Sequence, residues 1–136
     1  MTTTETGRTT LEAYLDALST GGPFADFLTE DVTFALVGTE VSLVGREPVV
    51  AFIRGFHEQA FDSTLEIGSL CIDAARGTAA VEIVFSGRHI AEVMGIPATG
   101  RDVRVPYSAH YELRGDAISA IRVYGLVTPL VEALTA

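Results

Sequence analysis

The sequence predicts an α+β fold in which about three helices cover one face of a sheet whose strands run mostly antiparallel. Two observations carry this expectation. Apolar residues recur at helical spacing in the first part of the chain, then alternate with polar ones from Leu65 onward. Glycine-containing turns, Arg76-Gly77 and Arg114-Gly115-Asp116, separate successive alternating runs. Helices first and hairpin-linked strands afterwards place the helices together on one side of the sheet.

Residues 1–7 read as a flexible tail, and residues 8–136 as a single domain. A first helix is expected from Thr9 or Thr10 to Ser19. Thr9 precedes Glu12 by three, a capping-box spacing, and Leu11, Tyr14, Leu15 and Leu18 fall on one face. Gly21-Gly22-Pro23 stops it, and Phe24 to Leu28 makes a short second helix. Val32 to Val37 and Val41 to Val44 read as strands. Gly45 turns into the longest helix, Glu47 to Phe61, whose Val49, Val50, Phe52, Ile53, Phe56, Ala60 and Phe61 form a wide apolar stripe. Leu65 to Ile72, Ala79 to Ser86, Val103 to Leu113 and Ala117 to Tyr124 follow as strands. The loop Gly95 to Gly100 interrupts them, and a short helix from Pro129 to Leu134 closes the chain.

Two strands permit a face assignment. Val103, Val105, Tyr107, Ala109, Tyr111 and Leu113 share one face with Val81, Ile83 and Phe85, and this face should look toward the helices. Arg104, Pro106, Ser108, His110 and Glu112 share the other, a mixed surface suited to solvent or to a moderately polar dimer interface.

Composition narrows the function classes. The 136 residues are 48% hydrophobic and 20% charged, with a net charge of −9. That length supports one domain with a substantial core. All nine basic residues are arginine, so Schiff-base and pyridoxal-phosphate chemistry through lysine is excluded. So acidic a chain is a poor partner for nucleic acid or for an anionic membrane. The single cysteine, Cys71, excludes an intrachain disulfide and a cysteine metal cage, and it reads as a buried, inert thiol. No signal-peptide pattern or membrane-spanning run is visible, and a cytoplasmic protein is expected. No cofactor or metal is implied: the glycine-containing stretches match no phosphate-binding pattern, and His57, His89 and His110 lack metal-ligand spacing.

Three stretches resemble the SnoaL-like polyketide cyclase and ketosteroid isomerase-like (NTF2-like) superfamily. Gly87 to Pro106, GRHIAEVMGIPATGRDVRVP, is similar to the SnoaL-type turn and the G-I-P-x-T-G segment that follows it. Ala13 to Gly22, AYLDALSTGG, resembles the first helix of ketosteroid isomerases, and His110 to Gly125, HYELRGDAISAIRVYG, their last hairpin. The resemblance implies a cone: a strongly curved mixed or antiparallel sheet around the helices, enclosing one pocket for a small hydrophobic ligand. It also implies a homodimer through the outer face of the sheet.

In ketosteroid isomerase an aspartate base works with a tyrosine and a protonated aspartic acid. By the resemblance, Tyr14 matches the tyrosine. The positions of that enzyme's two carboxyl groups fall at or near Leu36 and at Ala109. The acidic residue that SnoaL-like cyclases carry near the end of the last strand falls within Leu126-Val127-Thr128, and none of these places holds an acid. The leading expectation is a cofactor-independent cyclase or isomerase of a polyketide-like intermediate. Its catalytic residues would be Tyr14, His89 and Tyr107, and its substrate lining Phe34, Leu36, Phe52, Phe56, His57, Ile83, Phe85, Ala109, Tyr111 and Val123. Each polar member also has a structural reading. Tyr14 either donates to a carbonyl or packs, and His89 is either a base or a turn residue. His57 is either pocket lining or a core histidine, while His110 with Glu82, Glu112 and Arg122 suits a surface ion-pair network. The rival classes are a non-catalytic carrier of a small apolar ligand and an assembly module whose core is filled by its own side chains.

Overall fold

The computed structural model describes residues 3–136. Helix α1 spans Thr3–Thr20 and a 3-10 turn follows at Phe24–Phe27. Strands β1 (Leu28–Leu36) and β2 (Ser42–Val44) precede helix α2 (Arg46–Arg54), which runs into a π-helical turn, Gly55–Ala60. Then come β3 (Phe61–Asp73), β4 (Thr78–His89), β5 (Asp102–Arg114), β6 (Ala117–Tyr124) and helix α3 (Val127–Thr135). The strands form one sheet in the order β2-β1-β6-β5-β4-β3. All neighbours are antiparallel except β1 and β6, so the sheet is mixed.

Helix α1 starts well before the expected Thr9, and Thr9 is therefore an interior residue and no N-cap. The extra turns are held by packing. Gly7 is buried so close to the sheet that a Cβ there would lie 2.9 Å from Leu113 Cδ1, and the Thr10 hydroxyl donates to Asp116 O at 3.3 Å. Met1 and Thr2, the rest of the expected tail, lie outside the described residues. The helix ends as expected at Gly21 (φ +70°), where Gly22 N–H donates to Ala17 O at 2.7 Å and Gly21 N–H to Leu18 O at 3.5 Å.

The core lies between the sheet and the helices, with α1 over β3 and β6, α2 over β1, and α3 over β5. Leu11, Val49 and Leu130 from the three helices are fully enclosed. On β4 and β5 the odd-numbered residues turn inward as the alternation requires: Val81, Ile83, Phe85, Val103, Val105, Ala109 and Tyr111 are buried.

Strand β3 departs from simple alternation. Ile67 faces Ile83 and Leu70 faces Val81, so Gly68 and Ser69 together oppose Glu82 in a β-bulge. The extra residue reverses the parity of everything after it. Leu70 and Ile72 turn inward, and Cys71, opposite Ala80, is exposed. The expectation of a buried thiol is thereby corrected.

Gly87 shows how tightly β3 and β4 are matched. A Cβ on it would lie 2.9 Å from Asp62 O and 3.2 Å from Ser63 Cα, both backbone atoms that cannot swing aside. Gly87→Ala is expected to destabilise the fold by about 1–3 kcal/mol in urea unfolding. An unchanged midpoint would mean that the two strands are not held this closely.

Candidate functional site: an apolar cavity edged by tyrosines

The cross-strand register sets the cavity floor. Leu36, Val123, Ala109 and Val81 lie in one row across β1, β6, β5 and β4, and Phe34, Ile121, Tyr111 and Ala79 in the next. Ala109 sits between Tyr107 and Tyr111 on the inner face of β5. Its small side chain leaves the floor low where its neighbours stand high. The resulting cavity measures about 490 Å³, within the usual range for small-molecule sites.

Its lining is mostly apolar, and the polar groups are Tyr14, His57, Gln59, Glu92, Tyr107 and Tyr111. No arginine lines it. Tyr14 on α1 and Tyr111 on β5 meet edge to face at 5.9 Å, and Tyr14 meets Phe24 at 6.1 Å. Burial holds the hydroxyls of Tyr14, Tyr107 and Tyr111 well above the ordinary phenol range, and their mutual proximity adds to the effect for Tyr14 and Tyr111. All three therefore stay protonated, as donors, through the physiological range. None has a hydrogen-bond partner among the described residues. Enclosed partnerless side-chain atoms occur only at Thr29 Oγ1 and His89 Nε2 among those residues, so the phenol oxygens open onto free volume.

The expected helix from Glu47 to Phe61 stops as an α-helix at Arg54. The wider π turn that follows presents Gly55, Phe56, His57, Gln59 and Ala60 to the cavity. Such turns are frequent at functional sites. An Arg54–Glu58 ion pair at 3.0 Å and a Ser63 Oγ hydrogen bond to His57 O at 2.9 Å brace it. His57 packs edge-on against Phe56 at 5.2 Å and Phe85 at 5.7 Å. Burial lowers its pKa to about 4, so the imidazole is neutral at pH 7 and available as a base.

The mouth lies among the exposed lining residues Ala51, Gln59, Glu92 and Met94. Val93 and Ile96 exchange backbone hydrogen bonds of 3.1 and 2.8 Å around Met94 (φ +49°) and Gly95 (φ +77°), a two-residue type I′ turn. Glu92 Oε1 accepts from Gly95 N–H at 2.6 Å. The backbone thus holds Met94 in a conformation uncommon for a side chain other than glycine, asparagine or aspartate, at the rim of the cavity.

Of the residues expected from sequence, Tyr14, Phe34, Leu36, Phe52, Phe56, His57, Ile83, Tyr107, Ala109, Tyr111 and Val123 line this cavity. Phe85 and His89 do not. Phe85 is fully enclosed behind the wall, 5.1 Å from Phe56 and 5.0 Å from Phe61. His89 is fully enclosed at the end of β4, stacked near Phe61 at 5.2 Å. Its Nδ1 accepts from Thr99 N–H at 3.1 Å and contacts Thr99 Oγ1 at 3.0 Å, which leaves the ring proton on Nε2. Together with backbone bonds to Gly100 and Arg101, both 2.9 Å, it ties the 90–101 loop to the sheet. Its place is therefore that of a turn histidine. His110 stands on the outer face beside Tyr124 at 4.8 Å, near the Arg122–Glu112 ion pair.

Sequence reasoning missed Gln59, Glu92 and Met94. The first depends on the π turn, and the other two on a hairpin inside an irregular loop. The Met94-Gly95 pair is the one local signal for that hairpin.

A mixed sheet and three helices thus surround an apolar cavity edged by three phenols. Residues 11–121 match the SnoaL-like domain, and the chain belongs to that family. Similar solved structures include a proposed polyketide cyclase of Xanthomonas campestris pv. campestris, 19% identical over 98% of this chain and 100% of that one, with a TM-score of 0.87. Another proposed polyketide cyclase, of Pseudomonas putida, is 25% identical over 99% of both chains, with a TM-score of 0.84. An LEH-like epoxide hydrolase of M. tuberculosis is 17% identical over 96% of this chain and 90% of that one, with a TM-score of 0.70. No curated protein matches the sequence. Among the described residues no helix is long and apolar enough to cross a membrane.

The lowered His57 pKa carries a stability consequence. In the unfolded chain the imidazole titrates near its ordinary 6.5, and in the folded protein near 4. Its contribution is complete above pH 6.5 and is lost as pH falls toward 4, by up to about 3 kcal/mol. Unfolding measured from pH 7 to pH 4 should show this loss in the wild type and not in His57→Gln. Equal acid sensitivity in the two proteins would remove His57 as its source.

Proposed function

We propose that this protein is a cofactor-independent cyclase or isomerase of an uncharged, carbonyl-bearing, polyketide-like intermediate. One observation carries the reading: three phenol hydroxyls without hydrogen-bond partners among the described residues open onto an apolar cavity that no arginine among those residues lines. Moving a proton from the carbon beside a carbonyl needs a base and a donor for the oxygen that gains charge. Tyr14 takes the donor role, with Tyr107 and Tyr111 beside it. His57 takes the base role first expected of His89, because His57 is on the wall and His89 is not.

The step balances within the chain. The neutral imidazole accepts the carbon-bound proton, and the electron pair moves to the carbonyl oxygen, where a tyrosine O–H stabilises it. In an isomerase the imidazolium returns the proton to a different carbon. In a cyclase the enolate carbon bonds to a second carbonyl carbon, and the new alkoxide takes the proton. The apolar walls fold the substrate so that the reacting atoms meet.

A homodimer through the outer face of the sheet and a cytoplasmic setting belong to the same reading. A second reading, a non-catalytic carrier of an apolar ligand, is favoured by Leu36 and Ala109. They line the cavity at the places where the resemblance puts carboxylates.

Melting temperature against steroids, aromatic polyketides, polyenes and epoxides tests the proposal. A ligand at about 100 times its Kd adds roughly 2.7 kcal/mol, or about 10 °C at this size. Tyr14→Phe should weaken binding of a ketone about tenfold and leave the matching hydrocarbon unaffected. Turnover lost in His57→Gln with binding retained supports the enzyme. Tight binding with no turnover of any carbonyl ligand supports the carrier. No shift with any compound would contradict both.

A further inference from the structure

A second concavity adjoins the first from the outside. It is a surface groove of about 490 Å³ between the end of α1 and the start of β3. Ser19, Thr20, Glu58, Asp62 and Ser63 give it a polar lining, in contrast to the cavity. Two residues, Leu18 and His57, belong to both walls. At that point cavity and groove are separated by a single layer of side chains.

His57 is the only titratable member of that partition. An imidazole has two nitrogens to satisfy, yet neither has a hydrogen-bond partner among the described residues. Neither is among the enclosed partnerless atoms, so both reach open volume. The charged and titratable groups around it divide by side. Glu58, paired with Arg54, and Asp62 border the groove, while Tyr14, Tyr107, Tyr111 and Glu92 border the cavity.

We propose that His57 is a proton relay between the cavity and water in this groove. The inference rests on the acid–base reading above and adds the route by which the proton leaves. An apolar ligand that fills the cavity displaces water from around His57 on that side, so a proton taken by the imidazole either returns to the ligand or leaves on the groove side. One ring nitrogen accepts the substrate proton and the ring becomes imidazolium. The other nitrogen releases its proton to a groove water, and the ring is left as the other neutral tautomer. The same path run backwards supplies a proton from solvent.

Carbethoxylation of the three histidines by diethylpyrocarbonate, mapped by peptide mass, tests the route without any substrate. Urea-unfolded protein gives the fully reactive rate, and enclosed His89 is the protected reference, whose protection also reports that a variant is folded. In the wild type His57 should react at least tenfold faster than His89. Plugging the groove with Ser19→Trp, or with Thr20→Trp as a second plug, should slow His57 at least tenfold and leave His89 protected. Ala51→Trp, at the cavity mouth, should change His57 less than twofold. Failure of both groove variants to slow His57 would overturn the proposal, whatever Ala51→Trp does, as would a wild-type His57 as protected as His89. Absence of turnover beside a groove-gated His57 would instead count against the acid–base reading alone.

Discussion

Much of this structure depends on one aromatic junction centred on Phe85. Its ring lies 5.0 Å from Phe61 and 5.1 Å from Phe56, with His57 at 5.7 Å, and His89 stacks near Phe61 at 5.2 Å. Those residues belong to the π turn, to the start of β3 and to the end of β4. Rings in such tilted and edge-on contact contribute beyond their buried area. They fix where α2 stops being an α-helix and where the chain enters the sheet. They also fix where the 90–101 loop is anchored. The placing of His57 on the cavity wall and of Met94 at its mouth follows from that junction.

The cavity floor obeys a second constraint. Interiors are normally packed to crystal density, and on β5 the sequence sets alanine between two tyrosines that the helices above do not reach down to fill. Apolar rows from four strands make the rest of the floor, so the phenol oxygens are left with few alternatives to a bound ligand. An unpaired polar group in such surroundings costs about 1–3 kcal/mol. A ligand oxygen that accepts from one of them recovers part of that cost, which is a physical reason for the site to prefer carbonyl compounds over hydrocarbons.

Legibility in the sequence followed regularity. Alternation along Val103 to Leu113 placed Tyr107, Ala109 and Tyr111 on the helix-facing side, and the helical spacing of Leu11, Tyr14 and Leu15 placed Tyr14 above them. Features that break period were hidden. The bulge at Gly68-Ser69 turned Cys71 outward because one inserted residue reverses a strand's faces. The π turn, which begins at Gly55, ended α2 early, although the apolar stripe ran on to Phe61 at helical spacing. Burial of Gly7 against Leu113 extended α1 into a stretch whose local sequence reads as a tail. For α1 a tertiary contact outweighed a local preference. His89 shows the reverse limit: its residue type suggested a base, and its hydrogen bonds to Thr99 make it a fastener.

The central claim is that the phenols of Tyr14, Tyr107 and Tyr111, and not that of Tyr124, face the ligand. The chain has four tyrosines in all, so labelling each ring carbon that bears the hydroxyl with carbon-13 gives four NMR signals to assign by Tyr→Phe variants. Titration with an uncharged steroid enone should shift the signals of Tyr14, Tyr107 and Tyr111 and leave that of Tyr124 in place. Movement of Tyr124 alone, or of none while the enone is demonstrably bound, would contradict the account.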